Sequence, residues 1–139
     1  MPSTQQEFKD NDGGTDPVYA MVEVNGLLCG GHWTGKIRVC EASSGKVLQT
    51  IEPANDGSDP DVRCMAEVNG LLCAGTYGGK IRVCEASSGE VLHTIDAHEV
   101  EYGLGVMCMT AVNGLLCSGG ADGKIRVCEA MWDVGCGMS

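Results

Sequence analysis

The chain has 139 residues, enough for one ordinary domain, and 43% of them are hydrophobic but only 4% aromatic, so any core is built mainly from small aliphatic and thiol side chains. A formal net charge of −10 argues against a phosphate-binding surface, because nucleic-acid affinity comes largely from Lys and Arg neutralising phosphates. No apolar run is long enough to cross a bilayer and the polar start, Met1 to Gln6, holds no signal-peptide core, so the expectation is a soluble cytoplasmic protein with no nucleic-acid or membrane partner.

The N-terminal segment, residues 1–17, is polar and ends in the acidic stretch Asp10, Asp12 and Asp16. The chain then states one message three times. Val-Asn-Gly-Leu-Leu-Cys begins at Val24, Val68 and Val112, and Gly-Lys-Ile-Arg-Val-Cys-Glu-Ala begins at Gly35, Gly79 and Gly123, each at a spacing of 44 residues. A fixed period in this range marks a repeat array. The repeats fall at 18–61, 62–105 and 106–130, followed by a tail at 131–139.

The middle repeat shows the plan. Val62 to Val68 reads as a strand, with Val62, Cys64, Ala66 and Val68 on one face. Asn69-Gly70 follows, as Asn25-Gly26 and Asn113-Gly114 do in the other copies, and this pair suits the positive φ of a type I′ hairpin turn. Leu71 to Gly75 is a second strand, apolar on both faces, as when both faces are covered. Tyr77-Gly78-Gly79 turns the chain again, with Asp122-Gly123 at the corresponding place in the third copy. Lys80 to Cys84 is the third strand, Ala86 to Gly89 the third turn, and Glu90 to Ile95 the fourth strand. The fold class is therefore all-β, with antiparallel four-stranded meanders.

Four short strands per period make a propeller blade. The run from Leu115 to Ala130, Leu-Leu-Cys-Ser-Gly-Gly-Ala-Asp-Gly-Lys-Ile-Arg-Val-Cys-Glu-Ala, resembles the core of a WD repeat, the β-transducin-like family, and the likeness covers about residues 18 to 130. It implies a β-propeller used for protein binding. It also implies a buried structural network, which in this chain falls on His98, Ser118 and Asp122, with Cys128 where the family has Trp. The first two copies have Gly30 and Thr34, then Ala74 and Gly78, at the Ser and Asp positions, and Cys40 and Cys84 in place of Trp. Replacing a large buried side chain by a small one costs about 3–5 kcal/mol where the site does not collapse, so individually weak blades are expected.

Propellers close with about four to eight blades. Three is too few, and the third repeat lacks a recognisable fourth strand after Glu129-Ala130. Gln5 to Phe8 falls where the fourth strand of a preceding blade would lie. Two chains forming a homodimer would make a six-bladed ring, each N-terminal strand completing the partner's third blade. The alternative is a fragment of a longer propeller without an independent role.

Nine cysteines raise a second kind of function, a cysteine-based metal-binding or redox-responsive protein. Cys29, Cys73 and Cys117 share one repeat position, Cys40, Cys84 and Cys128 another, and Cys64 and Cys108 a third, where the first copy has Ala20. No Cys-x-x-Cys pair or Cys/His knuckle is present, so no metal ligands are assigned and core packing is the simpler reading. A two-residue turn at Asp122-Gly123 would set Cys117 directly across from Cys128.

The copies differ mainly in the turn after the second strand and in the connection between repeats. In a meander these loops share one rim, and loops on a rigid scaffold carry function. The candidate partner-binding residues are therefore Trp33, His32, Tyr77, Tyr102, Asp56, Asp59, Asp61, Glu99 and Glu101. Carboxylates dotted with aromatics suit a basic protein or peptide. Asp56-Gly-Ser-Asp59 lacks the ligand set of an EF-hand loop. Gly-Lys at 35, 79 and 123 opens a strand, not the helix a phosphate loop requires. The three histidines have no nucleophile at an identifiable spacing, so the expectation is a non-enzymatic scaffold with no catalytic residues and no cofactor.

Overall fold

The computed structural model describes residues 16–99 and 105–128. It is all-β among these residues. The first sheet is a meander of β1 (Val18–Val24), β2 (Leu27–His32), β3 (Ile37–Glu41) and β4 (Lys46–Ile51). The second repeats it with β5 (Val62–Val68), β6 (Leu71–Thr76), β7 (Lys80–Glu85) and β8 (Glu90–Asp96). The third contains β9 (Val106–Val112), β10 (Leu115–Gly120) and β11 (Ile125–Cys128). The expected closing strand at Gln5 to Phe8 and the tail lie outside the described residues.

Each first hairpin turns as its Asn-Gly pair dictates. Asn25, Asn69 and Asn113 take φ of 50°, 51° and 50°, and Gly26, Gly70 and Gly114 take 84°, 80° and 79°. Glu23 and Glu67 add a second lock, each carboxylate accepting the turn glycine's N–H at 2.6 Å. The third copy has Ala111 at that position.

The sheets stack face to face, and the second sheet is covered on both sides. Toward the first sheet it buries Val62, Leu72, Ala74 and Cys84 against Val24, Cys29, Ile37 and Val39. Toward the third it buries Val68, Cys73, Ile81 and Val83 against Val106, Leu116 and Cys128. We call the side of a sheet that meets the following sheet its front face and the opposite side its back face.

Two sequence expectations are corrected. Val62 does not share a face with Cys64, Ala66 and Val68: it packs on the first sheet while the other three pack toward the third. A bulge between Val62 and Cys64 is the cause, because Val62 pairs with Thr76 and Cys64 with Gly75, leaving Arg63 as the extra residue that reverses the alternation. The first copy has the same irregularity between Val18 and Ala20, so Tyr19 occupies the equivalent position.

The second correction concerns the last hairpin. Cys117 faces Val127 and Leu116 faces Cys128, so the two cysteines lie on opposite faces of the sheet. The turn is longer than two residues: Gly123 N–H donates to Gly120 O at 3.1 Å and Gly120 N–H to Lys124 O at 3.2 Å, with Gly123 at φ 79°. The cross-strand thiol pair is therefore not formed.

Candidate functional site

The variable loops gather on one rim through backbone hydrogen bonds between each second turn and the connection before it. Trp33 N–H donates to Pro17 O at 3.0 Å, Tyr77 N–H to Asp61 O at 2.8 Å, and Ala121 N–H to Gly105 O at 3.0 Å. On the opposite rim the repeated turns contact their neighbours: Asn25 Nδ2 reaches Gly70 O at 3.5 Å and Gln49 Nε2 donates to Ser87 O at 3.2 Å.

The candidate rim residues separate by burial. Trp33 is 50% exposed at the tip of its turn, and Glu99 and Asp56 are also exposed. His32 is not available to a partner, being 2% exposed. Its Nε2 accepts Arg38 Nε–H at 3.0 Å, which places the ring proton on Nδ1, where it donates to Asp16 O at 3.1 Å. Tyr102 and Glu101 lie outside the described residues.

The three aspartates of the second connection hold their own loop. Asp56 accepts the Ser58 N–H at 3.0 Å and its hydroxyl at 2.5 Å, and these bonds lower its pKa to about 2. Asp59 Oδ1 accepts the Asp61 N–H at 3.1 Å. Burial raises the Asp61 carboxyl above its ordinary value, helped by Asp59 and opposed by Arg63, which lies 3.5 Å away.

Arg63 is a rim residue that sequence reasoning missed. As the bulge residue it is re-aimed between two rings, 4.9 Å above Tyr19 and 4.8 Å above Tyr77. Tyr77 is thereby held as one half of a cation–π sandwich. The signal available was the repeat itself, since Tyr19 and Arg63 occupy one repeat position.

The third copy carries the polar network. His98 Nδ1 pairs with Asp122 Oδ1 at 3.0 Å, and its Nε2 with the Ser118 hydroxyl at 2.8 Å. Asp122 also accepts the N–H groups of Glu99 and Lys124, each at 3.1 Å. Burial pushes the Asp122 carboxyl up, but these backbone donors and His98 outweigh it and bring the pKa down to about 2. Cys128 is buried on the same sheet, across from Leu116.

Between the second connection and this network opens a cleft of about 830 Å³, lined by Asp56, Ser58, Gly78, Lys80, Asp96 and Glu99 among others. Lys80 Nζ lies 3.0 Å from Asp96 and 3.5 Å from Asp56. Lys80 and Asp96 were not among the expected rim residues. Both sit at strand ends, where alternation gives no sign that a side chain turns toward the rim.

The thiols are chemically quiet where they are buried. Burial drives Cys64 and Cys73 up to about 12, and Cys29 and Cys84 to about 11. Among the described residues no three of His, Cys, Asp and Glu are grouped so as to hold a metal ion.

Comparison with solved structures identifies the architecture. The computationally designed Ika4 protein matches with a TM-score of 0.71 at 20% identity, over 92% of this chain and 75% of that one. The structure of U3-55K matches with a TM-score of 0.74 at 21% identity, over 90% of this chain and 39% of that one. The RRP9 WD40 repeats match with a TM-score of 0.74 at 21% identity, over 90% of this chain and 38% of that one. The fold is that of β-propeller blades, as in these neighbours. No protein-family model and no curated protein matches the sequence. The chain spans well under half the length of the two WD40-repeat chains.

Proposed function

We propose that the chain is a non-enzymatic protein-interaction scaffold that docks a basic protein segment on its variable rim. The cleft at the boundary of the second and third sheets carries this reading. It presents Asp56 and Asp96 on either side of the Lys80 ammonium, with Glu99 beside them 4.0 Å from Lys124 Nζ. A Lys or Arg from a partner can take the place of Lys80 between the two aspartates, and Trp33 adds an exposed aromatic surface on the same rim. The net charge of −10 favours encounter with a basic segment. A second copy of the chain belongs to the same proposal, because it brings the blades to six.

The test is fluorescence anisotropy of a labelled Lys/Arg-rich peptide. Binding should weaken with added salt, and Asp56→Lys with Asp96→Lys should slow association roughly tenfold. Trp33→Ala should act mainly on dissociation. If substitutions at Ser43 and Ser87, on the opposite rim, weakened binding more than these, the face would be wrongly assigned.

A further inference from the structure

The three copies are chemically alike but buried very differently. Val62 and Val106, the first residues of β5 and β9, are 0% exposed because each lies on the front face of the preceding sheet. Their counterpart Val18 is 47% exposed, and Met21 beside it is 64% exposed. At the other end of the stack, Ile37 and Ile81 are 0% exposed, while their counterpart Ile125 is 77% exposed. Val24 and Val68 are 1% exposed and Val112 is 47% exposed. The back face of the first sheet and the front face of the third thus keep the residues of an inter-sheet contact without that contact among the described residues.

One glycine position shows how the two ends match. A side chain on Gly31 would overlap the Val62 Cγ1 methyl, and one on Gly75 would lie 2.6 Å from Val106 Cγ1. Glycine is required there because the next sheet's first valine fills the space. Gly119 is the third member of this set, yet among described residues only the Cys108 thiol, at 2.9 Å, would crowd a side chain there. A cavity of about 260 Å³ opens beside it, lined by Cys108, Thr110, Cys117, Ile125 and their neighbours. The valine missing from this socket is the one left exposed at the other end, Val18.

We propose that two copies of the chain close head to tail, the back face of the first sheet of each docking on the front face of the third sheet of the other, with Val18 seated over Gly119. This rests on the six-bladed pairing above and assigns its faces. The occupant is a second copy because the chain already builds this contact twice within itself. Cys64 Sγ lies 3.9 Å from Val106 O across the second such junction, and Cys108 holds the equivalent place for the Val18 carbonyl of the other copy. Two copies give six blades, inside the range in which propellers close, whereas three would give nine. The faces that meet are apolar, as they must be when each copy carries a net charge of −10.

Sedimentation velocity of the full chain in reducing buffer tests this. The expected species has twice the 14.5 kDa chain mass. It should tighten between about 0.05 and 0.5 M salt as like charges are screened, the reverse of the salt response of peptide binding. Val18→Asp and Ile125→Asp lie on exposed positions of the single chain, and each should weaken the dimer roughly a hundredfold or more. An equimolar mixture of the two variants should recover a 1:1 dimer, because one junction then has two intact faces. A monomeric wild type overturns both the pairing and the faces. A dimer that survives either single variant, or a mixture that stays monomeric, overturns the faces alone. Val18→Cys gives a reading that does not depend on the Asp variants folding: mild oxidation should yield a covalent dimer that Cys108→Ser abolishes. Absence of that Cys108-dependent dimer counts against the assignment.

Discussion

Gly75→Ala is the sharpest probe of how the sheets stack. The added Cβ would lie 2.6 Å from Val106 Cγ1, 3.0 Å from Val106 Cβ and 2.7 Å from Cys64 Sγ. Carbon atoms in favourable contact sit about 3.5–4.0 Å apart, so β9 must retreat by roughly 1 Å. Overpacking of this kind costs about 1–3 kcal/mol. The lower entropy of the unfolded Ala chain offsets about 0.4–1 kcal/mol of that. The net loss is between about 0 and 2.6 kcal/mol, centred near 1.3, and the centre of that range lowers Tm by roughly 5 °C in a domain of this size. Gly30→Ala is the matched control, because its Cβ would meet only Val18 Cγ1, at 3.7 Å, and the second copy already has Ala74 there. It should leave Tm unchanged or raise it. Thermal melts followed by circular dichroism decide the matter. If Gly75→Ala matched Gly30→Ala, the sheets would not be packed through Val106.

Two further outcomes follow from the titratable groups. Asp122 has its pKa depressed from 3.8 to about 2, so its contribution to stability is present above the unfolded value and is lost as the pH falls through about 2. Wild-type Tm should therefore drop between about pH 4 and 2, Asp122→Asn should flatten part of that drop, and Asp56→Asn, removing a more exposed carboxyl also depressed to about 2, should flatten a smaller part; an unchanged profile in both variants would refute the assigned hydrogen bonds. Cys64 and Cys73, driven up to about 12, should resist iodoacetamide at about pH 8 in the folded chain and react once guanidinium unfolds it, and labelling of either in the native state would show that its burial is wrongly placed.

The fold was legible because each repeat is punctuated by residues with few alternatives. Asn-Gly at 25, 69 and 113 demanded a tight turn, and the backbone takes positive φ at all three. The apolar pattern of Leu71 to Gly75 announced coverage on both faces, and Leu72, Cys73 and Ala74 are each 0% exposed. What was not legible came from single-residue irregularities. The bulge at Arg63 moved Val62 to the other face, and the longer turn around Asp122 shifted Cys117 out of line with Cys128. Both are one-residue changes of register, and alternation of side chains turns one residue into a change of face. The rim was harder still. His32 looked like a loop residue and proved to be a buried hydrogen-bonding centre at the end of β2, its Nε2 accepting from Arg38 on the neighbouring β3. Arg63, Lys80 and Asp96 turned toward the rim without any signal in their own strands.

The division between uniform and variable parts has a physical cause. Stacking identical sheets requires the same wedge between each pair, so the residues at the junction cannot drift independently. Val62 on Gly31 and Val106 on Gly75 are one contact made twice. The repeated turns on the opposite rim interlock as well, with Asn25 on Gly70 and Gln49 on Ser87. On the variable rim the first and third copies meet their polar needs with different groups, while Arg82 Nε of the second has no hydrogen-bond partner among the described residues. The third arginine of this repeat position, Arg126, donates to the Ala97 carbonyl at 3.1 Å, where Arg38 uses His32. A loop is free to change its polar partners provided each buried donor finds an acceptor, and that condition leaves many solutions. Selection for a contact surface can therefore act on one rim without disturbing the junctions, and the acidic cleft around Lys80 lies on that rim.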